Sequence, residues 1–381
     1  MIISPCAMLM TPITPNVMAS PIAASSSTLP RLIPSNRLAA SPVRRRRLSI
    51  DRSKPDLGPE LKKAVEDALR SIDNRLRLTG LAANLFEGIS LGSVLLLAAI
   101  GLAITFGVMG VINMAHGEMI MLGAYCAYVC QEVFVAFLPR GLLDAYLVVA
   151  VPVAFVFAGT VGIVLERTVI RFLYGRPLET LLATWGVSLI LQQAVRSVFG
   201  APNKAVSNPS WMTGGFDVLG GFSVTWNRLY IIVFCFVVLG GLALILNRTS
   251  FGLHMRAVTQ NRDMAAVMGI RTARIDALTF GLGSGIAGMA GVALSQIGNV
   301  SPNLGTIYIV DSFLVVVFGG VGNLMGTLVG ALSLGIVNKF LEPVAGAILG
   351  KIVVLAAIIL FIQWRPRGLF ALKGRTADAE G

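Results

Sequence analysis

The chain has 381 residues, of which 55% are hydrophobic and only 13% charged, and its formal net charge is +12. Soluble domains carry about a quarter charged residues, so this composition excludes an ordinary soluble globular protein. Most basic residues lie at the two ends or in short connections between apolar runs, which argues against nucleic-acid binding as the reason for the positive charge. We therefore expect an all-α polytopic membrane protein and no nucleic-acid partner.

The N-terminal region divides into two parts. Residues 1–56 are rich in Ser, Pro and Ala, contain an arginine run at 44–47 and lack an apolar run long enough to span a bilayer. We expect this segment to be disordered, or to reflect a start codon assigned too early. Residues 57–84 are predicted to form an amphipathic helix beside the membrane, because apolar residues recur there at helical spacing. These residues are Leu61, Val65, Leu69, Ile72 and Leu76.

Residues 85–363 contain apolar runs that predict a bundle of about 8–10 transmembrane helices, some of them broken or half-spanning. The runs cover 88–109, 115–138, 145–165, 180–199, 229–246, 277–297, 307–318, 328–341 and 347–362. The two runs at 307–318 and 328–341 are short enough to be half-spans, and Pro343 follows the second of them.

Basic residues near span ends predict which connections face the cytoplasm. They concentrate after the third span, in the connection 247–276 and in the basic tail 364–381, so we place all three segments on the cytoplasmic side. The connection 200–228 then lies outside, where it is predicted to form a small hairpin with Trp211 and Trp226 at the membrane interface.

Polar side chains concentrate between the first two spans, where Asn113, His116 and Glu118 lie close together among glycines. Two interpretations remain open. The residues line a pathway or gate at a broken helix, or they cap an ordinary cytoplasmic hairpin. Gln192 and Asn299 are further candidates for pathway lining. No metal site is expected, because no third and fourth ligands at suitable spacing accompany His116 and Glu118.

The glycine-rich segment GGVGNLMGTLVGA has the spacing that lets two membrane helices approach closely. Its candidate packing residues are Gly319, Gly320, Gly322, Gly326 and Gly330. The sequence has no GxxxxGK[ST] phosphate-binding loop, and its two histidines provide no arrangement for nucleophilic catalysis. We therefore expect no enzyme activity, no catalytic residues and no cofactor in this chain.

The connection 247–276 is the longest charged segment between two apolar runs. Within it, residues 261–268 are predicted to form a short amphipathic helix that ends at Gly269, with Met264, Val267 and Met268 on its apolar side. The apolar side either docks into a groove on another subunit or lies on the membrane surface.

Four segments identify a family resemblance. INMAHGEMIMLGAY, RTSFGLHMRAVTQNRDMAAVMGI, FGLGSGIAGMAGVAL and VVVFGGVGNLMGTLVGA, in this order and spacing, resemble permeases of the branched-chain amino acid ABC importers. The resemblance covers roughly residues 85–375. Further segments, among them LETLLATWGVSLILQQ and NKFLEPVAGAILGKI, are most similar to the first permease subunit of urea importers.

The resemblance implies an inner-membrane transport subunit with several partners. They are a second homologous permease subunit, two cytoplasmic ABC ATPase subunits, a periplasmic substrate-binding protein and the lipid bilayer. Urea is the implied substrate, with branched-chain amino acids or another amide or amino acid as the alternative. A passive channel or an ion-coupled carrier is the alternative of another class.

The resemblance also places a coupling helix, which contacts the ATPase, in the connection 247–276. Asp263, Ala265 and Gly269 match the first, third and last residues of the pattern E-A-A-x-x-x-G, with Asp replacing Glu. Arg256 and Arg262 are expected to make charged contacts with the ATPase. The complete set of expected coupling residues is Arg256, Asn261, Arg262, Asp263, Met264, Ala265, Met268 and Gly269.

Overall fold

A computed structural model describes residues 59–218, 223–366 and 368–370. Nearly all of the described residues belong to one compact unit that begins at Lys63. The expectations for residues 1–56 and for the tail beyond residue 370 lie outside the described residues.

The described residues form eleven α-helices and one small antiparallel sheet. The helices are α1 Pro59–Met109, α2 His116–Phe137, α3 Tyr146–Thr168, α4 Pro177–Phe199, α5 Trp226–Arg248, α6 Ser250–Gln260, α7 Arg262–Val267, α8 Thr272–Ser295, α9 Leu304–Gly319, α10 Leu324–Ala345 and α11 Ala347–Trp364. Three short 3-10 helices occupy Arg140–Ala145, Ile170–Leu173 and Ser210–Met212, and the strands are β1 Gly215–Asp217 and β2 Ser223–Thr225.

The architecture is that of an all-α polytopic membrane protein, as predicted. Seven of the described helices are long and apolar enough to cross a membrane. The helices α4 and α9 are not among these seven. The helix α9 is apolar but has only 16 residues, and α4 has 23 residues but carries polar side chains along one side. The half-span predicted at 328–341 is wrong, because α10 has 22 residues and includes Pro343 in its last turn.

The segment 57–84 is not a separate helix. It continues without interruption into the first span as α1, which has 51 residues. Because neither proline nor a turn glycine with positive φ separates the two parts, nothing ends the helix before Met109. The leucines Leu76, Leu78 and Leu81 in its first part are exposed.

The helix α8 lies at the centre of the bundle and packs against α1, α2 and α3 through glycines. A Cβ on Gly283 would overlap the backbone of α1 at Gly101, and one on Gly291 would overlap the carbonyl oxygen of Ile120 in α2. A Cβ on Gly285 would meet Phe155 in α3. Glycine therefore allows the helix backbones to touch, which is the usual way that membrane helices pack closely.

The segments expected in the cytoplasm gather at one end of the bundle, the basic end. Arg262 stacks on Tyr174, which follows α3, and Leu369 near the C-terminus donates a backbone hydrogen bond to the carbonyl of Phe318. At the opposite end, β1 pairs antiparallel with β2 and forms the predicted hairpin. Trp226 contacts the rings of Phe216 and Tyr230 there, at centroid distances of 5.2 and 6.1 Å.

Candidate functional site

The helix α7 in the basic connection has clear start and stop signals. The side-chain oxygen of Asn261 accepts a hydrogen bond from the backbone N–H of Met264 at 2.9 Å, which caps the N-terminus of the helix. Gly269 follows with φ of 86°, a conformation that glycine adopts without strain. The predicted short helix is thus confirmed.

One side of α7 presents apolar residues to the surroundings. Met264, Val267 and Met268 are 59%, 82% and 76% exposed, while Ala265 is buried against the bundle. Met264 and Met268 also line a groove of about 1120 Å³ between α6, α7 and the end of α1. Flexible methionine side chains on an exposed apolar patch are typical of a protein-binding surface.

Arg262 faces the bundle, not the space around α7. Its guanidinium forms an ion pair with Asp276, a fully buried residue of α8, and lies 4.7 Å from the ring centroid of Tyr174. The Tyr174 hydroxyl donates to Glu166 Oε1 at 3.4 Å, and burial raises the pKa of Tyr174, so this donor keeps its proton. The contact of Arg262 with the ATPase stays a prediction, and the structure adds that its guanidinium is paired with a buried carboxylate.

The helix α2 begins inside the bundle. After α1 ends at Met109, Gly110 turns the chain with φ of 64°, and His116 Nε2 donates to the carbonyl of Ala98 at 3.0 Å. Ala98 lies about 16 Å before the end of α1, at 1.5 Å per residue. The chain between the two helices therefore re-enters the apolar part of the bundle.

This geometry bears on the two interpretations of the polar residues at the start of α2. Asn113, His116 and Glu118 are each at most 1% exposed. An ordinary cytoplasmic hairpin does not fit, because residues of such a hairpin would reach solvent. The structure shows the break between α1 and α2, whereas the lining of a pathway or gate by these residues stays a prediction.

Glu118 belongs to a hydrogen-bonded cluster that joins α2, α4 and α9. Its Oε1 atom accepts from Ser188 Oγ at 2.8 Å and from Gln192 Nε2 at 2.9 Å. Gln192 Nε2 also lies 3.0 Å from Thr306 Oγ1 in the first turn of α9. The three helices border a half-open pocket of about 420 Å³, with Trp185 on one wall.

The pocket lies beside a polar stripe on α4. The buried polar residues of this helix recur every fourth position and therefore lie on one side of it. They are Thr180, Thr184, Ser188 and Gln192. Arg196 continues the stripe and donates to the side-chain oxygen of Asn303, which also lines the pocket.

The structure brings together only some of the candidate pathway residues. Glu118 and Gln192 line the pocket. Asn113 and His116 are buried beside the pocket. The side-chain oxygen of Asn113 accepts a hydrogen bond from the backbone N–H of Ala115 at 3.0 Å. Asn299 is exposed in the connection between α8 and α9. Sequence reasoning missed three polar lining residues: Ser188, Asn303 and Thr306. The four-residue spacing on α4 could have identified Ser188.

The predicted packing glycines divide into two groups. Gly319, Gly326 and Gly330 bring α9 and α10 into backbone contact. Gly320 and Gly322 lie in the turn between these two helices, and both have a positive φ. Gly322 and Gly326 are therefore not on the same face of one helix, although they are four residues apart.

Comparisons with known proteins agree with this architecture. The family model described as "Branched-chain amino acid transport system / permease component" matches residues 84–362. The chain is 31% identical over 291 residues to the high-affinity branched-chain amino acid transport system permease protein BraD of Pseudomonas aeruginosa, which covers 75% of this chain and 94% of that protein. It is 30% identical to LivH of Escherichia coli, and the match covers 75% of this chain and 94% of that protein. It is 28% identical to the probable LivH of Methanocaldococcus jannaschii, and that match covers 73% of this chain and 88% of that protein. No solved structure matches.

Proposed function

The chain belongs to the family of branched-chain amino acid transport permease components, and from this premise we propose that it is the membrane subunit of an ATP-driven importer. It is a multi-pass protein of the bacterial inner membrane. Its sequence has no phosphate-binding loop, so two cytoplasmic ABC ATPase subunits supply the energy. A second homologous permease subunit and a periplasmic substrate-binding protein complete the complex.

The observation that supports energy coupling at α7 is its exposed apolar side at the basic end of the bundle. When ATP closes the ATPase dimer, α7 moves with it and the bundle changes the side on which the pathway opens. ATP can shift this equilibrium only if the ATPase binds α7 differently in the two states. Arg256 is exposed, so its guanidinium is available for charged contact with the ATPase, and it also donates to the side-chain oxygen of Asn247 at 3.4 Å.

We propose urea as the substrate. The support is the resemblance of several segments to urea permeases, together with a pocket lined by side chains that hydrogen-bond a small uncharged solute. The pathway is not neutral throughout, because Glu118 lines the pocket. Branched-chain amino acids are the second candidate, since the relatives BraD and LivH are described as permeases for them.

The substrate is tested with the complete importer in proteoliposomes. With its binding protein and ATP present, we expect uptake of labelled urea and no uptake of labelled leucine. The control omits ATP and should abolish uptake. Leucine uptake without urea uptake would overturn the urea proposal and favour the second candidate, whereas urea uptake without ATP would favour a channel or carrier.

Charging the apolar side of α7 should uncouple the importer. In the double variant Met264→Asp, Met268→Asp, we expect urea uptake to fall at least about tenfold, because each carboxylate would have to be buried at the ATPase contact. The permease itself should still fold, since both side chains are more than half exposed. The variant Leu78→Asp, at a similarly exposed leucine of α1, serves as the matched control. Normal uptake by the double variant would contradict docking through α7.

A further inference from the structure

We infer that the pocket between α2, α4 and α9 is a solute-binding site in which Glu118 Oε2 accepts an N–H group from an uncharged amide such as urea. The inference rests on the proposed function and extends it to a specific atom. Glu118 is 1% exposed, and its Oε2 atom has no hydrogen-bond partner within the described part of the chain. A buried carboxylate oxygen without a donor is costly, so a native protein is expected to supply one.

Within the described residues, both side chains that donate to Glu118 bind its Oε1 atom, and the buried Asn113 Nδ2 has no partner either. Ser188 Oγ and Gln192 Nε2 both donate to Oε1, and Gln192 Nε2 also contacts Thr306. The arrangement holds the carboxylate in one orientation and gives Oε2 no donor from the described residues. In our inference, a solute with N–H groups provides that donor.

The site lies where two helices begin. The backbone of Gly117, in the first turn of α2, contacts that of Gly305, in the first turn of α9. Both N-termini therefore direct the positive ends of their helix dipoles toward this region, about 16 Å from the basic end of α1. They favour the carboxylate of Glu118 and also the carbonyl oxygen of a bound amide, so that one solute can satisfy both groups.

The size and walls of the pocket suit a small planar solute. Its volume is about 420 Å³. This accommodates a molecule of a few heavy atoms with accompanying water, at about 30 Å³ per water. Trp185, Leu189 and Ile307 form apolar walls, and the polar groups converge on one side. Such a site orients a solute through few hydrogen bonds.

The test compares Glu118→Gln with Glu132→Gln in the complete importer. Glu132 is an exposed glutamate on the same helix, so it receives the same substitution away from the pocket. Urea uptake and ATP hydrolysis are measured together at saturating loaded binding protein. We expect Glu118→Gln to lower uptake at least about tenfold, the effect of losing one hydrogen bond to a charged group. ATP hydrolysis stimulated by the binding protein should persist in Glu118→Gln, so that fewer urea molecules enter for each ATP hydrolysed. Glu132→Gln should match the wild type in both measurements.

The outcomes separate the inference from the proposed function. If the wild type takes up urea and Glu118→Gln does so at the same ratio to ATP, the site is overturned while the proposed function stands. If the wild type takes up leucine and not urea, the proposed substrate is overturned, and the amide site with it. If Glu118→Gln does not assemble, Thr306→Val is used, because Thr306 is an exposed lining residue. Reduced uptake with persistent ATP hydrolysis then supports the site, and unchanged uptake overturns it.

Discussion

Replacing Gly291 by valine is expected to abolish correct folding of the permease. A side chain there would overlap the carbonyl oxygen of Ile120 and the backbone of Ala124, so α8 and α2 would have to separate. Because backbone atoms cannot move aside as a side chain does, the cost should exceed the about 1–3 kcal/mol typical of overpacked cores. We expect little monodisperse protein from membranes and a strongly lowered melting temperature in detergent.

The matched control is Gly240→Val. Gly240 lies in the middle of α5, where a Cβ would meet nothing within 4 Å. Both variants place the same β-branched residue in a membrane helix, so they share any effect of helix propensity. Equal behaviour of the two would show that close packing of α2 on α8 is not required.

Replacing Arg262 by alanine is expected to destabilise the basic end of the bundle. The variant leaves Asp276 without its cation, although this residue is fully buried. Removing one partner of a buried pair costs about 3–5 kcal/mol; here about 2–4 kcal/mol is expected, because water reaches the partly exposed Arg262 position. The melting temperature of the purified permease should fall, and urea uptake should fall with it, since α7 loses its attachment to α8.

The partner substitution distinguishes an unpaired charge from lost packing. We expect Arg262→Ala, Asp276→Asn to be more stable than Arg262→Ala alone, because the amide carries no charge that needs a cation. Arg274→Ala is the control, since Arg274 is exposed at the start of the same helix. If the double variant is no more stable than the single one, the ion pair does not explain the loss.

The features that sequence reasoning predicted are local ones. Apolar runs identified the helices that cross the bundle, because length and composition alone distinguish such segments. The limits of α7 were likewise predictable, since Asn261 and Gly269 act on adjacent backbone groups. The prediction of a half-span at 328–341 was wrong because Pro343 lies in the last turn of α10, where a proline disrupts little of the helix.

The features that could not be predicted join residues far apart in the chain. Glu118 meets Ser188 across 70 positions, and Gln192 meets Thr306 across 114. Such pairs depend on how helices pack, and no local pattern records them. The inward orientation of Arg262 was missed for the same reason, because its partner Asp276 is on the next helix and appeared in the sequence as one more charge in a water-facing loop.

The position of α8 has a consequence for how force crosses the membrane. The ion pair of Asp276 with Arg262 connects the first turns of α8 to α7, and directly after its last turn the backbone carbonyl of Gln296 accepts from the side chain of Asn227 at 2.9 Å. The 24 residues between Thr272 and Ser295 form an unbroken rod of about 36 Å. Glycine contacts hold its middle, so that they act as a fulcrum. A tilt of about 5° would move the two ends by about 1.5 Å in opposite directions, so that a motion at α7 would reach the opposite end of the bundle.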